Sequence, residues 1–182
     1  MHRNKVLALI DEYQRRHPSE SDVILLERFV RRQPSCFERD CFDDGHITGS
    51  AWLVDKSGSR VLLTHHRKLG KWLQLGGHSD GDNDPLAVAH REAEEESGLS
   101  ARPVAQTILD VDIHTIPSRG RDPEHLHYDL RFALEVVGSE RFHVSDESLD
   151  LEWIDIDDVK RLTTEESVLR LARKFDLLNL LP

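Results

Sequence analysis

The sequence predicts an α+β fold in which a mixed β-sheet is sandwiched between helices, with a helical extension at the amino terminus. Three observations lead there. Strand-like and helix-like segments interleave without the regular βαβ alternation of a doubly wound parallel sheet. Two amphipathic helical patterns precede the first strand. The chain has 182 residues, 38% of them hydrophobic and 32% charged, which suits one domain with a globular core and a terminal extension. The predicted division places the helical extension at residues 1–44 and the main domain at 45–182.

Taken in order, Lys5 to Arg16 has helical spacing at Val6, Leu9, Ile10 and Tyr13, and Pro18 breaks it. Ser21 to Gln33 repeats the pattern with Ile24, Leu25, Phe29 and Val30. These two helices carry no recognisable chemistry, and they either cap the domain or make a homodimer contact. Ile47 to Asp55 and Arg60 to His65 read as strands joined by the turn Lys56-Ser57-Gly58-Ser59. Trp72 to Leu75 is a short strand, Gly76 and Gly77 form a tight turn, and a polar loop runs from His78 to Asp84. The next helix begins with Pro85 in its first turn and Asp84 as N-cap, and stops before Gly98. Val104 to Ile116 and Leu126 to Val137 are long strands around a Pro/Gly/Arg-rich loop. Leu151 to Ile154 is a short strand, Asp155 or Asp157 caps a small helix ending near Leu162, and Thr164 to Phe175 forms the last helix.

Composition excludes several classes. The net charge of −10 argues against general nucleic-acid binding, which needs a basic stripe. It leaves room for a phosphorylated small molecule, because divalent cations invert the local field. No apolar run approaches the 18 or so residues of a membrane span. The start, MHRNKVLALIDEY, turns charged after one short apolar run, unlike a signal peptide. Cys36 and Cys41 read as unpaired structural thiols in a reducing compartment, so a cytoplasmic protein is expected.

The chemistry concentrates in Gly77 to Leu99. Glu92, Glu95 and Glu96 stand at i, i+3 and i+4 on a helix, so they share one stripe of its surface. Local energetics oppose that arrangement. Glu95 and Glu96 lie in the last turn, against the negative end of the macrodipole, and like charges at this spacing repel. A stripe disfavoured in this way calls for a cation, and hard oxygen ligands favour Mg²⁺, Mn²⁺ or Ca²⁺.

The segment resembles the Nudix box, G-x5-E-x7-R-E-U-x-E-E-x-G-U, where U is an apolar residue. Gly77 takes the opening glycine, Arg91-Glu92 the central pair, Ala93 the first U, Glu95-Glu96 the paired glutamates, and Gly98-Leu99 the close. Asn83 stands where the pattern has its first Glu, with Asp82 and Asp84 beside it as alternative sources of charge. The resemblance implies a Nudix-type α/β/α sandwich and a divalent-cation-dependent pyrophosphohydrolase. Such an enzyme cuts a diphosphate linkage in a nucleoside diphosphate-linked or related small molecule by attack of water at phosphorus. It further implies Glu92, Glu95 and Glu96 as ligands of Mg²⁺ or Mn²⁺, and a late-loop Glu, here Glu147, as a further ligand or base. On that resemblance the general base would be Glu95, Glu96 or Glu147, Arg91 would anchor the carboxylates, and Gly76 and Gly77 would give the substrate-binding loop its tight turn. With Asn83 in the box, activity is expected to be weakened rather than absent.

Other residues extend this list. His125, His127 and Asp129 fall on one face of a strand by period-two alternation, where they can ligate a metal or contact phosphate. His78 beside the box, and Arg119 and Arg121 in the loop before His125, are candidate phosphate contacts. His65 and His66 are weaker candidates. Two alternatives remain. One is a non-catalytic nucleotide-binding module of the same fold, suggested by Asn83. The other resembles isopentenyl diphosphate isomerase around WLQLGGH, but Gly76 stands where that enzyme has its catalytic cysteine.

Overall fold

A computed structural model describes residues 2–179. Helices α1 (Asn4–Arg16) and α2 (Ser21–Arg32) lead into strands β1 (His46–Val54), β2 (Arg60–His66), β3 (Lys71–Leu73) and β4 (Leu75–His78). Helix α3 (Pro85–Ser97) follows, then β5 (Ala101–Pro103), β6 (Asp110–Ile116), β7 (His125–Val136) and β8 (Ser148–Asp155). A 3₁₀ turn (Ile156–Arg161) and α4 (Glu166–Asn179) close the chain.

The eight strands form one mixed sheet with a central path β3-β2-β1-β7-β5. β1 and β7 run parallel, with His46 opposite His127 and Ser50 opposite Arg131. The other edge of β1 is shared: Val54 pairs with Val61 of β2, while Thr48 to Ala51 pair with β4. Alternation along β1 sends Ile47, Ala51 and Leu53 into a core with α1, α2 and α3, and Trp52 and Val54 into a second core under α4. The sandwich expected from the sequence is present. The amino-terminal helices are built into it, since Val6, Ile10, Tyr13, Leu26 and Phe29 belong to the first core and Phe29 stacks on Tyr128 at 3.9 Å.

Several boundaries differ from the sequence reading. Val104 to Ile116 is not one strand. Residues 104–109 leave the sheet, so that β5 and β6 pair separately with the two halves of β7. Propensity was continuous there, and pairing with β7 decided the break. Leu151 to Ile154 extends to the eight residues of β8 because β2 pairs along most of its length. The segment Trp72 to Leu75 is cut at Gln74, the point where the chain passes from pairing with β2 to pairing with β1. The turn expected at Gly76-Gly77 is instead part of β4, opposite Ser50 and Gly49. Those glycines serve close approach: a Cβ on Gly76 would lie 2.8 Å from the Ser50 Cα, and one on Gly77 would lie 2.5 Å from the Glu92 carboxylate. Asp84 occupies the N-cap position of α3 without a side-chain capping bond; its carboxylate pairs with Lys5 of α1. Asp155 likewise precedes the 3₁₀ turn without capping it. Gly98 ends α3 in the left-handed region, at φ +70°.

Candidate active site

Helix α3 lies over β1 and β4, close enough that Gly49 faces the Pro85 carbonyl and Val88. This proximity sets the acidic stripe against the sheet. Glu96 is 7% exposed, and its Oε1 accepts the Gly76 backbone N–H at 2.7 Å. Glu92 fills the space a side chain at Gly77 would need. Arg91 donates through Nη2 to Glu92 Oε1 and to the His78 carbonyl, both at 2.8 Å, and its Nε lies 3.8 Å from the exposed Glu95. Arg91 therefore fixes the stripe to the loop.

The charges do not balance within the stripe. Burial pushes the Glu96 carboxyl up to about 8, helped by the nearby charges of Glu92 and Glu147 and opposed by the Gly76 N–H. Glu92 is also raised, chiefly by burial and against the pull of Arg91. Glu147, exposed just before β8, acts electrostatically on Glu92, Glu96, His66 and His78. Its loop is held by Arg67, whose N–H meets the Glu147 carbonyl at 3.0 Å and whose Nε meets that of Asp146 at 2.9 Å. An all-oxygen donor set in which Arg91 meets Glu92 and Glu95 but the charges acting on buried Glu96 are those of other acids, cradled where Gly77 leaves room, fits a hard divalent cation. The carboxylates of Glu92, Glu95 and Glu96 do not converge tightly. Among the described residues, only His46, His125 and His127 bring three donor atoms within 4.8 Å of one another.

The other candidates surround a cavity of about 460 Å³, lined by Arg39, Lys68, Arg119, His66, His78, His125 and His127, among others. Backbone hydrogen bonds between Arg119 and Asp122 form a tight turn that presents Arg119 there. Arg121 is exposed and does not line this cavity. His65 instead stacks on Trp72 at 5.0 Å. Asp129 shares a face with His125 and His127 but does not join them. It is buried, accepting hydrogen bonds from Thr48, Ser50 and Arg131. Of the acids beside Asn83, Asp82 accepts the Asp84 N–H through Oδ1, and Asp84 pairs with Lys5 through Oδ2 while its Oδ1 is buried without a hydrogen-bond partner. Cys36 and Cys41 are free thiols, and burial pushes Cys36 up to about 12, which disfavours its thiolate form.

Sequence reasoning missed two features. His46 stands beside His127 only because β1 and β7 pair in that register; a strand predicted to start at Ile47 excludes it. The second is a buried ion network. Arg131, 2% exposed, reaches Asp110, Asp112 and Asp129, and Arg170 and Lys174 of α4 reach Asp110 from the other side. The only available signal was the run of alternating acids Asp110-Val-Asp112 opposite Asp129-Leu-Arg131.

Residues 46–175 match the NUDIX domain family, and the chain belongs to it. A Nudix-family hydrolase from Clostridium perfringens is similar at 28% identity, over 73% of this chain and 97% of that one, with a TM-score of 0.54. The E. coli dihydroneopterin triphosphate pyrophosphohydrolase shares the fold at 18% identity (71% and 93% covered, TM-score 0.57). So does a C. elegans Ap4A hydrolase at 16% identity (73% and 96% covered, TM-score 0.55). The protein is thus an enzyme of the Nudix pyrophosphohydrolase class. No helix among the described residues is long and apolar enough to cross a membrane.

Proposed function

We propose that residues 45–182 carry out divalent-cation-dependent hydrolysis of a diphosphate linkage in a phosphorylated small molecule, with residues 1–44 a helical extension packed on that domain. The observation that carries this reading is Glu96, a carboxylate buried against the Gly76 N–H, on which the charged groups that act among the described residues are two further acids, Glu92 and Glu147. Glu92, Glu95 and Glu96 would hold Mg²⁺ or Mn²⁺. When bound, such an ion neutralises phosphate oxygens and acidifies a water molecule. Arg91 keeps Glu92 and the loop carbonyl of His78 in place. Gly76 orients Glu96 through its N–H, and Gly77 leaves the space in which Glu92 sits. Glu147 is exposed and near enough to act electrostatically on Glu92 and Glu96, which supports it, ahead of Glu95 and Glu96, as the base that takes the proton from the attacking water. Arg119 and His78 contact phosphate oxygens in the cavity, whose cationic rim of Arg39 and Lys68 suits an anion.

The relatives named for a triphosphate and for Ap4A indicate which compounds to test first. A panel of nucleoside triphosphates, nucleotide sugars, dinucleoside polyphosphates and non-nucleotide diphosphates, incubated with Mg²⁺, should yield two phosphorylated fragments from at least one member, identified by mass. In ¹⁸O water the label should appear on phosphorus. Binding without turnover at any Mg²⁺ or Mn²⁺ concentration would overturn the reading, as would an isomerised product with no fragment released. Glu147→Gln should lower kcat by about 10²-fold with KM little changed.

A further inference from the structure

Three imidazoles are gathered at the carboxyl-terminal side of the α1–α2 extension, where β1 and β7 begin. His46 is the first residue of β1, and His125 and His127 are the first and third of β7. The parallel pairing of the two strands sets His46 directly beside His127, and period-two alternation puts His125 on the same face. Their ring centroids are 4.7, 4.9 and 5.2 Å apart, all tilted rather than stacked, and one nitrogen from each falls within 4.8 Å of the others. The rings thus surround a common point instead of packing face to face.

Hydrogen bonding leaves these nitrogens without a use in the protein itself. His46 is 1% exposed, and neither of its ring nitrogens meets a partner with hydrogen-bond geometry. The Cys41 backbone is near enough to be felt but closes no such bond. Nε2 of His127 is also buried and unpartnered. His125 is oriented: its Nδ1 lies 2.7 Å from the Pro123 carbonyl, and since a carbonyl only accepts, the proton is on Nδ1 and the Nε2 lone pair is free. A backbone carbonyl fixing the far nitrogen is the arrangement that holds metal-binding histidines in their tautomer. Buried polar atoms are rarely left unsatisfied, and here the orphans converge.

We propose that His46, His125 and His127 bind a divalent transition-metal ion of the zinc class, at a site separate from the glutamates of α3. An all-imidazole set is too soft for Mg²⁺ and suits zinc, cobalt, nickel or copper. An ion at about 2.0–2.1 Å from each nitrogen draws the three slightly closer than they stand. Three protein ligands leave one position open, and all three histidines line the cavity that also holds Arg119 and His78, so that position faces the space available to an anionic ligand. The site depends on the register of two strands and is independent of whether the glutamates catalyse hydrolysis.

The test uses the full chain without a histidine tag, stripped with chelator and then saturated with Mg²⁺ to occupy the carboxylates. Titration with Zn²⁺ alone, followed by calorimetry and elemental analysis, should show one ion per chain with a dissociation constant below about 1 μM. Co²⁺ in its place should give the visible absorption of a low-coordinate, nitrogen-bound ion. His127→Ala and His125→Ala should each weaken zinc by about 100-fold or more, while Glu95→Gln and Glu96→Gln leave it unchanged. If the alanine variants do not fold, the wild-type chain still decides the matter: zinc must shift the side-chain ¹⁵N resonances of three histidines. Millimolar binding, loss of zinc in Glu96→Gln, or retention in both histidine variants would each overturn the proposal.

Discussion

Two groups of acids on this sheet and the helices packed against it have opposite surroundings. Asp110, Asp112 and Asp129 are each met by guanidinium or ammonium groups. Arg131 lies 2.8–3.3 Å from all three, Arg170 reaches Asp110 and Asp112, and Lys174 reaches Asp110. Asp112 consequently sits well below the usual carboxylate range. Burial opposes this, but hydrogen bonds from His114 and Arg170 and the charge of Arg131 outweigh it. Glu92 is met by Arg91, but the charged groups acting on Glu96 among the described residues are Glu92 and Glu147, so Glu96 moves the other way, to about 8. Both groups are acidic and close to the sheet. What separates structure from chemistry is whether the protein supplies its own counter-charge.

Removing the counter-charge from the balanced group should have the largest effect. Arg131→Met leaves three carboxylates without their shared partner, and urea denaturation should show a loss of about 3–5 kcal/mol. An unchanged midpoint would mean that α4 alone neutralises them. In the unbalanced group the same kind of change should spare the fold and stop the chemistry. Glu96→Gln should lower turnover by about 10²–10³-fold while the metal-free protein becomes no less stable. Retained turnover would remove Glu96 from the site.

The pH dependence sharpens the contrast through its sign. Glu96 has a folded pKa near 8 against an ordinary 4.5, so between those values the folded state holds a proton that the unfolded state has released. Its contribution to stability is fully present below about 4.5 and is lost as pH rises towards 8, a fall of at most a few kcal/mol in the absence of metal. Saturating Mg²⁺ or Glu96→Gln should flatten that slope in thermal melts. Asp112 runs the opposite way: its contribution is present above its ordinary value of 3.8 and is lost as pH falls below it. The smallest effect is expected at the rim. Lys5→Ala removes the ion pair with Asp84, in which the lysine is 57% exposed, and should shift the denaturation midpoint by less than about 1 kcal/mol.

The sequence was most readable where chemistry is written within one element. The stripe of α3 was visible because helical spacing alone places Glu92, Glu95 and Glu96 together, and its cost to the helix made it conspicuous. Two of the three members of the histidine group were visible for the same reason, since His125 and His127 alternate along one strand. Its third member was not, because only the β1–β7 register joins residues 79–81 positions apart. The ion network was hidden for a similar reason, as the pair Glu20–Lys174 spans 154 positions. The Gly76-Gly77 pair was found but misassigned. Two glycines signal either a turn or a close approach, and only the position of Glu92 and Ser50 distinguishes them.

The meeting of Tyr13, Glu20 and Lys174 has a mechanical consequence. The Tyr13 hydroxyl donates to Glu20 at 2.6 Å, and the Lys174 ammonium donates to Glu20, Tyr13 and Asp110. Parts of the chain near opposite ends are thereby latched to each other and to the first residue of β6. Tension applied at the two termini would load this latch before it reached the inner strands, so fraying from either end is checked outside the region where the glutamates and histidines are arranged.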